Sequence, residues 1–193
     1  IREAHLLFGS STGTLTGTIN TAAQDTVLNL QLHTGSIDWG DQPPAMFTRL
    51  NKDFDPGPWL GGALEHIRGR LSISADTFVF ERLSWHPFQV DLEFGEKRII
   101  LTSDPQSSLC SIRTPGRMAF EDQEFHLQVQ PELREQDLDQ VLACFQGLEQ
   151  QWSGRCSLEG VLRSRGRSLA ELKHGFQGHL RLSADNGRID KAT

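Results

Sequence analysis

Apolar and polar residues alternate with a period of two along much of this chain. Phe88, Val90, Leu92 and Phe94 are interleaved with Gln89, Asp91 and Glu93, and Phe125, Leu127 and Val129 with His126, Gln128 and Gln130. Cys156, Leu158 and Leu162 share one parity against Arg155, Ser157, Glu159 and Arg163, and Leu180, Leu182 and Ala184 stand against His179, Arg181 and Ser183. Successive side chains of a strand point to opposite faces, so each stretch predicts a strand with one apolar and one wetted face. Strands of that kind build antiparallel sheets rather than parallel sheets buried on both sides. The stretches STGTLTGTIN and VLNLQLHTGSIDW predict two more strands, joined near Ala22 to Asp25.

Three segments carry helical signals. PWLGGALEHI (58–67) has a proline near its start, where the missing N–H does no harm. REQDLDQVLACFQGLEQQ (134–151) places Leu138, Val141, Leu142, Phe145 and Leu148 on one stripe. SLAELKHGF (168–176) opens with Ser168 and has Glu171 three residues later, the pattern of a capping box. The turn-forming run WGDQPPAMFTRLNKDFDPGP, between the first strands and the first helix, predicts a loop. GRLSISAD (69–76) follows the first helix and GHLRLSAD (178–185) follows the third, with Gly, Leu, Ser, Ala and Asp matching in register. A repeated unit of helix and one-faced strand points to a sheet that grows by addition, each unit burying its apolar face with its neighbours.

These patterns together predict one mainly β, α+β domain over residues 1–193. Its centre is a curved antiparallel sheet, an open groove or half-sandwich, with about three short helices along one face or edge. A weak subdivision separates the first strands and loop, residues 1–57, from the repeat-bearing region, residues 58–193. Since the chain starts with Ile1, it is expected to be an excised or processed piece of a longer repeat-built protein, and the strand pair near Thr193 to belong to a sheet that continues.

Composition narrows the function. A net charge of −6 runs against nucleic-acid binding, which requires a basic stripe; Arg163, Arg165 and Arg167 read as a solvated strand end. No apolar run approaches the length of a membrane span. The sequence lacks GxSxG, HExxH, GxxxxGK[ST] and GxGxxG, and GSSTGTLTG lacks the lysine of a phosphate loop. His174 and His179 straddle a helix end, and Asp53 and Asp55 sit in the predicted loop beside Lys52. Nothing among them predicts converging acid–base groups, so no catalytic residue, metal site or cofactor is expected. Cys110, Cys144 and Cys156 form no CxxC pair. Composition leaves open one disulfide with a spare thiol or three reduced thiols.

The stretch from LCSIRTPGRM through LDQVLACF to GRCSLEGVLRSRGRSLAELKHGFQGHLRLSADNGRI resembles the C-terminal part of AsmA-like proteins. LEHIRGRLSISADTFVFERLSWHPFQVDLEFGEKRIILTSD resembles the same family's strand pattern further upstream, so that the likeness spans roughly residues 58–190. Cys156 departs from the pattern, which has a plain strand residue there, and the N-terminal third matches weakly. The resemblance implies a non-enzymatic cell-envelope protein of Gram-negative bacteria, anchored in the inner membrane by a helix outside this chain, with its bulk in the periplasm. It further implies a part in outer-membrane biogenesis or lipid passage between membranes. Disulfides persist in such a compartment, and a Cys110–Cys144 bridge, closing a loop of about 33 residues and worth ~3 kcal/mol in the chain-entropy account, would leave Cys156 free and buried. Phe78, Phe80, Phe88, Val90, Leu92 and Phe94 are the candidate lining of a lipid groove. The partner is a lipid or, in the alternative reading, another envelope protein that docks through open sheet edges.

Overall fold

A computed structural model of the chain describes residues 4–8, 11–22, 25–39, 66–80, 83–95, 97–146 and 151–190. Strand accounts for 77 % of the structure, which places the protein in the expected mainly β class. One sheet of fourteen strands holds all of it together. The strands are β1 (Ala4–Phe8), β2 (Ser11–Ala22), β3 (Asp25–Trp39), β4 (Ile67–Phe80), β5 (Leu83–Trp85), β6 (Phe88–Gly95), β7 (Arg98–Ser103), β8 (Ser108–Leu109), β9 (Ile112–Arg113), β10 (Gly116–Glu121), β11 (Glu124–Val129), β12 (Glu132–Asp137), β13 (Gln151–Gly166) and β14 (Gln177–Asp190).

The register reduces this list to a simpler plan. β4 pairs with β6 along Gly69–Ala75 and with β5 along Phe78–Phe80. β13 likewise pairs with β12 along Arg155–Glu159 and with β11 along Leu162–Gly166. β5 and β6, β7 and β8, β9 and β10, and β11 and β12 are therefore the two halves of four long strands lying side by side between β4 and β13. Each of the four is interrupted at a proline, Pro87, Pro105, Pro115 or Pro131. Proline has no N–H for the ladder and is tolerated in sheets at edges and breaks. Four prolines in adjacent strands thus line up as a crease across the sheet.

Side chains take over the hydrogen bonding along the crease. The backbone N–H of Gln89 donates to Ser107 Oγ at 3.0 Å, and Ser103 Oγ donates to the carbonyls of Thr114 at 3.0 Å and Gly116 at 3.3 Å. Backbone bonds cross it at His86 N to Ser108 O, Thr114 N to Ser107 O and Gln130 N to Pro115 O. Ser107 is consequently 2 % exposed although polar, as a buried hydroxyl with partners on both sides can be.

One strand pair differs from the antiparallel expectation. β3 and β4 run parallel, with Leu30 opposite Leu71 and Thr34 opposite Ala75; among the described residues every other strand pair is antiparallel. A parallel pair needs a connection of about a dozen residues or more, which residues 40–66 supply. The hairpins at Cys110–Ser111 and Asp122–Gln123 each turn in two residues, all four with positive φ, the backbone of tight turns matched to strand twist.

The helices are α1 (Leu138–Gln146) and α2 (Leu169–His174). The helix expected over 134–151 is shorter at its start, because Glu132–Asp137 pair with β13 instead. Residues 134–137 contribute nothing to the apolar stripe, which begins at Leu138. α2 has the predicted cap: Glu171 N donates to Ser168 Oγ, and Glu171 Oε2 accepts from Arg167 N at 2.9 Å. Residues 58–65 of the first predicted helix and the predicted loop, apart from Trp39, lie outside the described residues, while Ile67 already belongs to β4. Pro115 marks the crease between β9 and β10.

Candidate functional site

Following the register from strand to strand shows that one face of the sheet is mainly apolar, broken by Thr34, Ser103 and Ser164. It carries Leu28, Leu30 and Leu32 on β3, Leu71, Ile73 and Ala75 on β4, and Phe88, Val90, Leu92 and Phe94 on β6. The row through Leu92 continues across Leu101, Met118 and Leu127 to Ser164 of β13, while Val129 lies opposite Leu162 on the same face. It ends on Leu180, Leu182 and Ala184 of β14, which lie opposite Gly160, Leu158 and Cys156. The other face is polar and charge-paired. Arg70 reaches Asp91 at 3.4 Å and Glu93 at 3.7 Å, Arg163 Nε donates to Gln128 Oε1 at 3.1 Å, and Arg165 and Arg167 hold Glu124. The hydrogen bond from Arg165, together with both charges, outweighs desolvation and holds the Glu124 carboxyl below its ordinary value.

The apolar face is covered unevenly. Both helices sit on it above β13. Under α1, Val141 packs with Ile112, Leu133 and Cys156 in the main buried cluster. Under α2, Ser164 Oγ donates to the Leu172 carbonyl at 2.7 Å, and Leu172 is buried. Away from the helices Val90 is 4 % exposed, but Leu71, Ile73, Phe88, Leu92, Phe94 and Leu101 are only half-buried. At the β14 end cover is lost: Leu180 is 52 % and Leu182 67 % exposed.

The candidate groove residues divide between two places. Phe88, Val90, Leu92 and Phe94 share the apolar face. Phe78 and Phe80 follow the opposite parity to Leu71 and Ile73 on β4, beyond the crease. Phe78 nevertheless stacks on Phe88 with centroids 4.3 Å apart and lies 5.5 Å from Trp85, forming an aromatic group at the crease. Phe80 has the Lys173 ammonium 5.7 Å from its ring centroid, within cation–π range. Lys173 belongs to α2, at the Gly69 end of the strands, whereas Phe80 is at the far end of β4. A flat sheet would separate those levels by on the order of 30 Å, so the contact requires the apolar face to curve inward. Alternation in the sequence identified Phe88, Val90, Leu92 and Phe94 as one face of a strand, but not the neighbours Leu30, Leu101, Met118 or Ser107, whose place depends on register.

Cys110 is disulfide-bonded and stands in the β8–β9 turn. The expected partner, Cys144, has its side chain outside the described residues. Cys156 is a free thiol, 2 % exposed beneath α1. Burial first, and then the charge of Asp137, raises its pKa. The stabilisation that comes from keeping this thiol neutral is complete below the ordinary thiol range and is lost as pH rises through the raised value. Denaturant midpoints should therefore fall at alkaline pH in the native protein, and Cys156→Ala should flatten that alkaline arm. At neutral pH Cys156 should resist alkylation until the chain is unfolded.

Among the described residues, no three His, Cys, Asp or Glu side chains converge as a metal site, and no helix is long and apolar enough to cross a membrane. Comparisons with family models, curated proteins and solved structures gave no match to this chain.

Proposed function

We propose that this chain is a non-enzymatic, periplasmic segment of an AsmA-like envelope protein, whose apolar sheet face carries the acyl chains of lipids between membranes. The observation that carries this reading is the mainly apolar face running from β3 to β14, with large side chains left half-buried on β4, β6 and β7, away from the two helices. A polar outer face of paired charges keeps such a trough soluble, while its inner face offers acyl chains a curved apolar surface. Contiguous apolar surface of this kind marks an interaction site more often than an idle face. The disulfide at Cys110 fits an oxidising compartment, and the family resemblance supplies the envelope setting.

The test uses the chain itself with vesicles containing a fluorescent-acyl phospholipid. The expected result is saturable uptake, with bound phospholipid detected by native mass spectrometry. Leu92→Asp combined with Leu101→Asp places two charges at facing positions on the apolar face and should reduce uptake at least tenfold, since a buried unpaired charge is strongly unfavourable. Gln89→Asp, on the polar face, should leave uptake unchanged. A wild-type chain that takes up no phospholipid, or a double variant that remains folded and takes it up normally, would refute the reading.

A further inference from the structure

β14 ends the sheet with an edge that the fold does not protect. Among the described residues it pairs only with β13, and every residue from Gln177 to Asn186 is exposed. It contains neither proline nor lysine, two of the devices that blunt an edge strand, and before the bulge at Asn186 its charged side chains are Arg181 and Asp185, of opposite sign. Its straight part runs from Gln177 to Asp185, after which Asn186, with φ of +55°, bulges the pairing between Ser153 and Arg155.

The internal repeat shows what this edge is shaped to receive. Gly69 and Gly178, which open the two matching segments, both have positive φ. A Cβ at Gly69 would fall 1.8 Å from the Leu28 carbonyl oxygen of β3, and one at Gly178 would fall 2.0 Å from that of Val161 on β13. β13 thus flanks β14 on the same edge as β3 flanks β4, although β3 runs parallel and β13 antiparallel, and the open edge of β14 corresponds to the edge of β4 that receives β6. β6 is antiparallel and sets Asp91 opposite Ser72, at the position that Arg181 holds in the repeat. The edge of β14 therefore matches an antiparallel strand with apolar residues on one parity, and Arg181, which reaches Glu159 of β13 at 3.5 Å but stays 80 % exposed, is open to a second acid from that side.

We infer that the strand taking this place is β14 of a second copy of this chain, paired antiparallel about a two-fold axis at Ser183. That register sets Arg181 opposite the partner's Asp185 twice, places Leu182 against the partner's Ala184 twice and stops at the bulge. It is self-complementary in charge and keeps both apolar faces on one side, so the two hollows join into one. Direct main-chain pairing supplies the affinity, and the alternating side chains select the register.

Sedimentation of the chain should show a concentration-dependent dimer. Arg181→Glu alone and Asp185→Arg alone should each weaken it by roughly tenfold or more, because the two-fold axis repeats every like-charge clash. An equimolar mixture of the two variants should recover the dimer, since each then meets its opposite across the axis. Under mild oxidation Ser183→Cys should cross-link to itself, and Leu182→Cys should not. A chain monomeric at all concentrations, a dimer indifferent to Asp185→Arg, or a mixture that fails to recover would each overturn the inference. So would a monomer that captures only an added strand peptide of different sequence. Lipid uptake is read separately, and its failure would leave this pairing untouched.

Discussion

Gly69→Ala should destabilise the whole sheet, by about 3 kcal/mol or more. Gly69 sits where β3 and β4 run parallel, with φ of +119°, and an added Cβ would meet the Leu28 carbonyl oxygen at 1.8 Å and the Leu28 carbonyl carbon at 2.8 Å. Backbone strain of this kind alone costs about 1–3 kcal/mol, and relief of the collision demands that a central pair separate. Gly178→Ala creates nearly the same collision, at 2.0 Å from the Val161 carbonyl oxygen, but on the edge strand. There the expected result is loss of β14 alone. Chemical denaturation with hydrogen exchange distinguishes the two outcomes: a lowered midpoint with general loss of protection for Gly69→Ala, and loss of protection confined to residues 177–190 for Gly178→Ala. Equal and mild effects at both positions would mean that the carbonyls yield easily.

The second large effect is expected at Leu133, which is 3 % exposed and packs with Ile112, Val141 and Cys156 beneath α1. Leu133→Ala should cost about 2–5 kcal/mol, the sum of lost transfer energy and the cavity left behind. The cluster joins a helix to β9, β12 and β13, so the loss should appear as a lower denaturant midpoint with α1 released early, seen as reduced helical signal before the sheet unfolds. Leu133→Met nearly conserves volume and should cost below about 1.5 kcal/mol. A Leu133→Ala variant as stable as the native chain would show that α1 contributes little to the fold.

Alternation made the strands around 88–94, 125–129, 156–162 and 180–184 legible in the sequence, because a one-faced strand writes its burial at every second residue. The Ser168–Glu171 pair marked the start of α2 for an equally local reason. What alternation cannot express is which strand lies beside which. The parallel β3–β4 pair was hidden because both strands have the same one-faced text as antiparallel ones. The crease was hidden because nothing local to Pro87, Pro105, Pro115 or Pro131 shows its level in the sheet, and only the register aligns them. Arg134–Asp137 were assigned to a helix because the stripe that follows begins close by, yet Gln136 and Asp137 pair with Cys156 and Arg155. For the candidate site, the four alternating residues Phe88–Phe94 were readable. The aromatic contact of Phe78 with Phe88 and the approach of Phe80 to Lys173 depend on curvature, which no local pattern records.

The proline line has a mechanical consequence. A ladder of backbone bonds makes a sheet stiff along its strands, but in four neighbouring strands the regular ladder breaks at the same level, where isolated backbone bonds and short hydroxyl side chains carry the bonding across. Proline leaves no orphaned N–H there to resist a change of angle. Bending about this one line is therefore the softest deformation of the trough, and it changes the aperture without breaking strand pairing on either side. Only the unbroken strands β4 and β13, which pair on both sides of the line, tie its two sides together along their full length.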